Sequence, residues 1–165
     1  MTKFSPILKY TTLLVTALLL AGCATQPPEP DPIRRALQNL SDRAAVRLMN
    51  VAEIQPPQEQ VLLLDTPSVD TSLSIASERF LENLTRAMLR ISDGPQVLDW
   101  RPAMAGDSGD HQWRLESRLE ATAPRLQLSD RELLPYRLTL SLYRPDADSA
   151  LWETEIEGAF DATAL

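Results

Sequence analysis

The chain has 165 residues, one cysteine and a formal net charge of −7. An acidic chain does not gain affinity for phosphate backbones by counterion release, so nucleic acid is excluded as a partner, and anionic lipid surfaces do not attract it. One cysteine excludes an intrachain disulfide and a cysteine-based metal site. We expect no cofactor and no small-molecule substrate.

Residues 1–22 have the organisation of a secretory signal peptide. Lys3 and Lys9 form a positive flank, and an uncharged, mostly apolar run follows over residues 10–21. This order of a positive segment, an apolar segment and small residues is typical of a cleaved signal. An uncleaved membrane anchor is the alternative, but the run is shorter than the ~20 residues that a spanning helix needs.

The run ends in Leu20-Ala21-Gly22-Cys23, which resembles a bacterial lipobox. Ala21 and Gly22 are small enough to enter a peptidase site, and the Cys23 thiol is the group that is acylated. We therefore predict cleavage between Gly22 and Cys23 and lipid attachment at Cys23. Cleavage removes both lysines, so 14 arginines remain against 23 acidic residues.

Residues 23–31 are predicted to be a lipidated, proline-rich tether. Three prolines in this segment favour an extended backbone with no core to bury. Stable anchoring needs more than one acyl chain, and a diacylglycerol group with a further chain such as palmitate would supply it. In lipoprotein sorting, Asp after the lipidated cysteine retains the protein in the inner membrane. Ala24 stands there instead, which implies the outer membrane, with the protein facing the periplasm.

Residues 32–165 are predicted to form a single globular domain that contains two helices. Apolar residues recur every three or four positions over residues 32–52 and again over 74–92, where Leu84 lies on the apolar stripe. Gly94 and Pro95 then end the second helix. The stripe of the first helix either packs on its own domain, which we favour, or docks a partner.

Five segments carry strand patterns. The first is a continuous apolar run, which is typical of a strand buried on both faces, and the last three alternate between apolar and polar residues. A polar turn over residues 145–148 makes the last two an antiparallel hairpin. The predicted fold class is therefore α/β (α+β), with helices packed on a mixed sheet of about five strands and a C-terminal antiparallel hairpin. The segments are 61–65, 96–100, 112–121, 136–143 and 152–160.

Catalytic motifs are weak. Residues 106–110 (GDSGD) resemble the nucleophile segment of trypsin-like serine proteases, with Ser108 as the nucleophile, but Asp110 replaces the final glycine. A triad also needs a base and an orienting acid, and His111 is the single histidine of the chain. A flexible turn is the better interpretation, so we predict no enzyme.

The sequence also gives little support for a metal site. Asp146, Asp148 and Glu157 match positions 1, 3 and 12 of a calcium-binding loop. However, Ala150 and Leu151 occupy the places of a polar ligand and of the turn glycine. His111 as a ligand would stand alone. We predict that these residues belong to the hairpin turn at 145–148 and its following strand, with no bound metal.

The order of strand, polar loop, long helix, strand and hairpin resembles a known family. The segments that carry the resemblance are 61–90, 96–100 and 138–160, with Trp152 near the start of the last strand. They look like the LpoB-type penicillin-binding-protein activator lipoproteins, whose domain is similar to the N-terminal domain of TolB. The resemblance is strongest over residues 61–160.

The resemblance implies a function and a partner. Members of this family are non-enzymatic outer-membrane lipoproteins that reach through the peptidoglycan and stimulate a bifunctional peptidoglycan synthase. The alternative is a scaffold or assembly subunit of an envelope complex. This chain differs from the family in two places: the stretch between residues 100 and 112 is too short for the expected helical segment, and the tether is short.

Overall fold

Two helices cover one face of a seven-stranded mixed sheet in the computed structural model, which describes residues 32–105 and 109–162. Gly22, Cys23, the predicted tether and Ser108 lie outside the described residues. The helices are α1 (Pro32–Met49) and α2 (Ser77–Leu89). The strands are β1 (Val61–Leu64), β2 (Ser68–Val69), β3 (Gln96–Asp99), β4 (Gln112–Ala121), β5 (Leu126–Gln127), β6 (Glu132–Tyr143) and β7 (Trp152–Asp161).

Helix α1 packs into the protein's own core. Its apolar stripe, from Ile33 through Leu40 to Leu48, is buried among residues of α2 and the sheet. The stripe therefore packs on its own domain, as we favoured, because a buried stripe cannot also dock a partner. Val46, on the outward side of the helix, is 62% exposed.

Helix α2 is shorter than the apolar pattern predicts, although the stripe itself is buried as expected, with Leu84 only 1% exposed. The helix starts after residue 76 because Ser74 has a φ of 55°, in the left-handed region, and Ala76 is extended with a ψ of 137°. The C-terminal end also precedes Gly94, since Asp93 adopts a φ of 56°. The helix therefore occupies only Ser77–Leu89.

The sheet combines parallel and antiparallel pairing, as predicted. Strand β1 lies between β3 and β4 and is parallel to both, whereas β4–β6 and β6–β7 are antiparallel. All five predicted strands are present, and the fold class is confirmed. Two strands of two residues each lie outside the five predicted segments: β2 pairs with β4, and β5 pairs with the start of β6.

Strand β6 begins four residues before its predicted start and contains Pro135. A proline weakens a strand prediction because it has no N–H for the ladder. Here the backbone N and C=O of Pro135 point away from β7, toward the chain just beyond the end of β4 at Ala121. The Pro135 carbonyl accepts a hydrogen bond from Thr122 N at 3.1 Å. The missing N–H therefore costs no ladder bond to β7.

Asp70 connects the segment after β2 to the end of β4 through hydrogen bonds. Its Oδ1 accepts a hydrogen bond from Ser72 N at 2.8 Å, and its Oδ2 accepts one from Ala121 N at 3.4 Å. The hydrogen bonds from Ser72, with a smaller contribution from Ala121, lower the pKa of Asp70. The stabilising contribution is therefore present above the unfolded pKa, near pH 4, and is lost as the pH falls through the folded pKa.

We expect Asp70→Asn to lower the urea midpoint at pH 7 and to change it less at the lowest pH at which the wild type stays folded, because protonation removes the contribution of the wild-type carboxylate as the pH falls. Asp148→Asn, at an exposed position of the β6–β7 turn, is the matched control and should leave both midpoints unchanged. An equal loss at both pH values would contradict the role of the charged carboxylate.

Candidate partner-binding surface

The face of the sheet opposite the helices is a charged surface, which we call the open face. Strand alternation places every second residue of β4, β6 and β7 on it. A concavity of about 500 Å³ lies over this face and is also lined by Asp65, Thr66 and Ser68. The open face consists of Arg114, Glu116, Arg118, Glu120, Arg137, Thr139, Ser141, Tyr143, Glu153, Glu155 and Glu157.

The strand register arranges these side chains in rows across the three strands. Arg137 of β6 lies directly between Glu120 of β4 and Glu157 of β7. Its Nη2 is 2.8 Å from Glu157 Oε1, and its Nε is 3.3 Å from Glu155 Oε2. The hydrogen bond to Glu157, followed by the charge of Glu155, raises the pKa of Arg137, so this guanidinium is charged at every physiological pH.

Carboxylates outnumber cations on the open face. The five glutamates face three arginines, Arg114, Arg118 and Arg137. Arg114 is paired with Glu116, and Arg137 is shared between Glu155 and Glu157. Ser141 Oγ donates a hydrogen bond to Glu153 Oε2 at 2.9 Å and holds that carboxylate on the surface. Solvent-exposed ion pairs add little to stability. The fold therefore does not require this charge pattern, and it is available to contact a partner.

Arg114 closes one end of the open face. Its guanidinium lies 4.9 Å from the ring centroid of Tyr143 and 5.4 Å from that of Trp100, and its Nη2 is 3.1 Å from Glu116 Oε1. Stacking of this kind favours arginine over lysine, because the planar guanidinium matches the rings. Arg114 thus ties the chain after β3 to the middle of the sheet.

Ser108 lies outside the described residues, and the described residues that the sequence singled out for chemistry are not grouped into a reaction centre. His111 is exposed, and its backbone carbonyl accepts a hydrogen bond from Val61 N at 2.8 Å. Asp146 and Asp148 lie in the β6–β7 turn, whereas Glu157 is paired with Arg137. Within residues 32–105 and 109–162, no three His, Cys, Asp or Glu side chains are grouped so that they could hold a metal ion.

The described part of the chain also contains no helix with the length and apolar character to cross a membrane. The predicted attachment site, Cys23, and the cleavage position at Gly22 lie in the part that the structure does not describe. They remain predictions from the lipobox.

No family model matches the chain, and no curated protein matches it. The fold is similar to that of two lipoproteins of known structure. The LpoB C-terminal domain from Salmonella enterica shares 14% identity at a TM-score of 0.48, with 76% of this chain and 98% of that one covered. Lipoprotein GNA1162 from Neisseria meningitidis shares 11% identity at a TM-score of 0.43, with 63% and 85% covered.

The similarity includes an LpoB domain, the type that the sequence resembles. At these identities and TM-scores it concerns the arrangement of helices and strands. The partner and the activity are therefore proposed below on other grounds.

The sequence predicted the strands that form the open face without identifying it as a binding surface. The signal was present in the alternating charges of β4 and in Glu153, Glu155 and Glu157 of β7. Each pattern alone indicates a solvated strand face. Only the register of β6 between β4 and β7 brings them together.

Proposed function

We propose that this chain is a non-enzymatic lipoprotein that is anchored in the outer membrane through Cys23, faces the periplasm and regulates a bifunctional peptidoglycan synthase. The open face is the observation that carries the proposal, since it is a large charged surface without a reaction centre in the described part of the chain. The lipobox supports the anchor, Ala24 supports export to the outer membrane, and the resemblance over residues 61–160 supports the synthase as partner.

The charge of the open face defines the chemistry of the surface that it binds. With five glutamates and three arginines the face is net negative, and it attracts a partner patch that is rich in lysine and arginine. Complementary charges of this kind accelerate encounter and fix orientation more than they raise affinity. Association should therefore slow as the salt concentration rises.

The packing of α1 limits how far the domain can stand from the membrane. Because α1 is buried in the core from Ile33 onward, it adds no reach to the tether. The eight residues 24–31 span at most ~26–29 Å, at ~3.3–3.6 Å per residue. A partner can contact the domain no farther from the anchoring membrane than this distance plus the width of the domain itself. This limited reach favours the second candidate, a scaffold subunit of an envelope complex at the outer membrane.

We expect mass spectrometry of the mature N-terminus to show a lipid-modified Cys23. Cys23→Ser should abolish both the modification and cleavage after Gly22, because the acylated thiol is the substrate of the processing step. Ala24→Asp is the matched control: it should keep the lipid and move the protein to the inner-membrane fraction. Normal processing of Cys23→Ser would contradict the lipobox assignment.

The function is tested by adding the mature chain, in detergent, to a purified bifunctional synthase and measuring glycan-strand polymerisation. We expect stimulation, and we expect Glu153→Lys with Glu155→Lys to weaken it ~tenfold or more, since two attractions become repulsions. Glu53→Lys with Glu59→Lys makes the same change in charge at exposed positions remote in sequence from the open face, and it should have no effect.

Three results would change the proposal. An equal loss of stimulation in both double variants would mean that stimulation depends on the net charge of the protein and not on the open face. Absence of both binding and stimulation would favour the scaffold function. Hydrolysis of a cell-wall substrate by the chain alone would overturn both candidates.

A further inference from the structure

Strand β3 is an outer edge of the sheet, because it pairs with β1 alone among the described strands. Gln96 N donates to Gln60 O at 3.0 Å, and Trp100 N donates to Leu64 O at 2.7 Å. The even-numbered residues therefore turn their backbone groups toward β1. Since successive peptide groups alternate in direction along a strand, the N–H and C=O of Val97 and Asp99 point outward, where an additional strand would bond to them.

Helix α2 carries a second apolar row beside this edge. Leu81, Thr85 and Leu89 follow one another at intervals of four residues, outside the buried stripe, and Leu89 is 65% exposed. Together with Asp99 of β3 they line a groove of about 380 Å³. Extended peptides that add to a sheet edge place alternate side chains in such adjoining grooves.

Apolar surface also flanks β3 on the opposite face of the sheet. Leu98 is 39% exposed and lines a cavity of about 210 Å³ with Ala103 and Met104. It pairs in register with Leu63, whose neighbours Leu62 and Leu64 belong to the core beneath the helices, so Leu98 lies on the other face. A strand added to β3 would thus meet apolar surface on both of its faces.

The other edge of the sheet, β7, is protected against such an addition. Three glutamates line β7, and Arg43 of α1 donates from Nη2 to the backbone carbonyl of Glu157 at 3.1 Å. Charged side chains and covered carbonyls are the usual means of blocking an edge strand. Strand β3 has a single charged residue, Asp99, at its end.

We propose that β3 is a docking site for an extended segment of a partner protein, in which apolar residues alternate with lysine or arginine. Alternation puts the apolar residues on one face of the added strand, against the surface around Leu98, and the basic residues on the other face, where their aliphatic stems pack against Leu81 and Leu89 of the groove. The basic residues complement the groove, where Glu78, Glu82 and Asp99 face one cation, Arg86, whose Nη2 already lies 2.5 Å from Glu82 Oε1. A second copy of this chain is a poorer occupant, because its own acidic groove would face the first.

The probe is a synthetic peptide of about eight residues in which Val or Ile alternates with Lys or Thr, added to the mature chain in detergent. We expect binding that slows hydrogen exchange at the amides of Val97 and Asp99, because an added strand bonds those two groups. The same peptide with alternate backbone amides N-methylated is the control, and it should not bind.

Two variants locate the site. Val97→Pro removes an outward N–H without removing a ladder bond to β1, and Leu89→Gln removes an apolar contact in the groove. Each should weaken peptide binding by about tenfold or more, whereas Val46→Gln, at a position of similar exposure on α1, should not change it. Thermal unfolding of each variant establishes that the fold is kept.

Four outcomes would overturn the proposal: no binding of the alternating peptide, equal binding of the N-methylated peptide, unchanged exchange at Val97 and Asp99, or binding by the Val97→Pro variant as tight as by wild type. If the peptide does not bind but the chain self-associates, and Val97→Pro abolishes that self-association, then the occupant of β3 is a second copy of this chain and not a partner protein. None of these results depends on stimulation of a synthase, so the inference is tested independently of the function proposed above.

Discussion

Leu84→Asp is expected to leave the protein largely unfolded at room temperature. Leu84 is 1% exposed and lies in the core between α2, α1 and the sheet. Removal of a buried leucine costs ~2–5 kcal/mol, and an unpaired carboxylate in the same place adds a desolvation cost. The sum is comparable with the ~5–15 kcal/mol that stabilises a typical domain. Urea unfolding followed by circular dichroism measures the loss.

Leu89→Asp is the matched control for this prediction. It makes the same chemical change at the last residue of the same helix, at a side chain that is 65% exposed. Water solvates the new carboxylate there, so the unfolding midpoint should move little. Similar midpoints for the two variants would mean that α2 is not packed on the sheet through Leu84.

Gly158→Ala is expected to destabilise the protein by ~1–3 kcal/mol through overpacking. Gly158 lies directly opposite Tyr136 in the β6–β7 register, and the ring of Tyr136 covers it. A Cβ at this position would stand 2.5 Å from Tyr136 Oη and 2.7 Å from its Cζ. The ring cannot simply give way, because it is buried and stacks on Phe160 with 4.2 Å between the ring centroids.

Two measurements test the cause of this loss. Burial raises the pKa of Tyr136, partly offset by Arg43, so a ring displaced by the new methyl group should titrate at a lower pH in the variant. In a Tyr136→Ala background the same glycine substitution should cost far less, since the two changes share one contact. Gly109→Ala, where the nearest atom is 3.9 Å from the added Cβ, is the neutral control. Additive losses would contradict the contact with Tyr136.

Much of the fold could be predicted because most segments carry a single clear periodicity. The alternation of apolar and polar residues predicted the first and last residues of β4 correctly, as Gln112 and Ala121. The errors occur where tertiary contacts decide. The start of α2 depends on the left-handed Ser74, and the start of β6 depends on where β4 ends relative to Pro135. Strands of two residues, such as β2, are too short to show a period.

The candidate surfaces could be predicted much less well. The lipobox at Cys23 is a local motif, and no knowledge of the fold is needed to propose it. The open face, by contrast, joins Glu120 to Arg137 and Glu157, and the groove joins Leu81 to Asp99. Such juxtapositions depend on strand order and helix placement, which periodicity does not specify.

The position of β1 has a consequence for how the protein folds. Val61 pairs with Gln96 and Gln112, 35 and 51 positions later, whereas Leu142 pairs with Trp152 only ten positions away. Because distant pairings form slowly, the β6–β7 hairpin should form early, and β1 should enter the sheet late. Until then the apolar run of β1 is exposed. It is the segment at which aggregation should begin and a holding chaperone should bind.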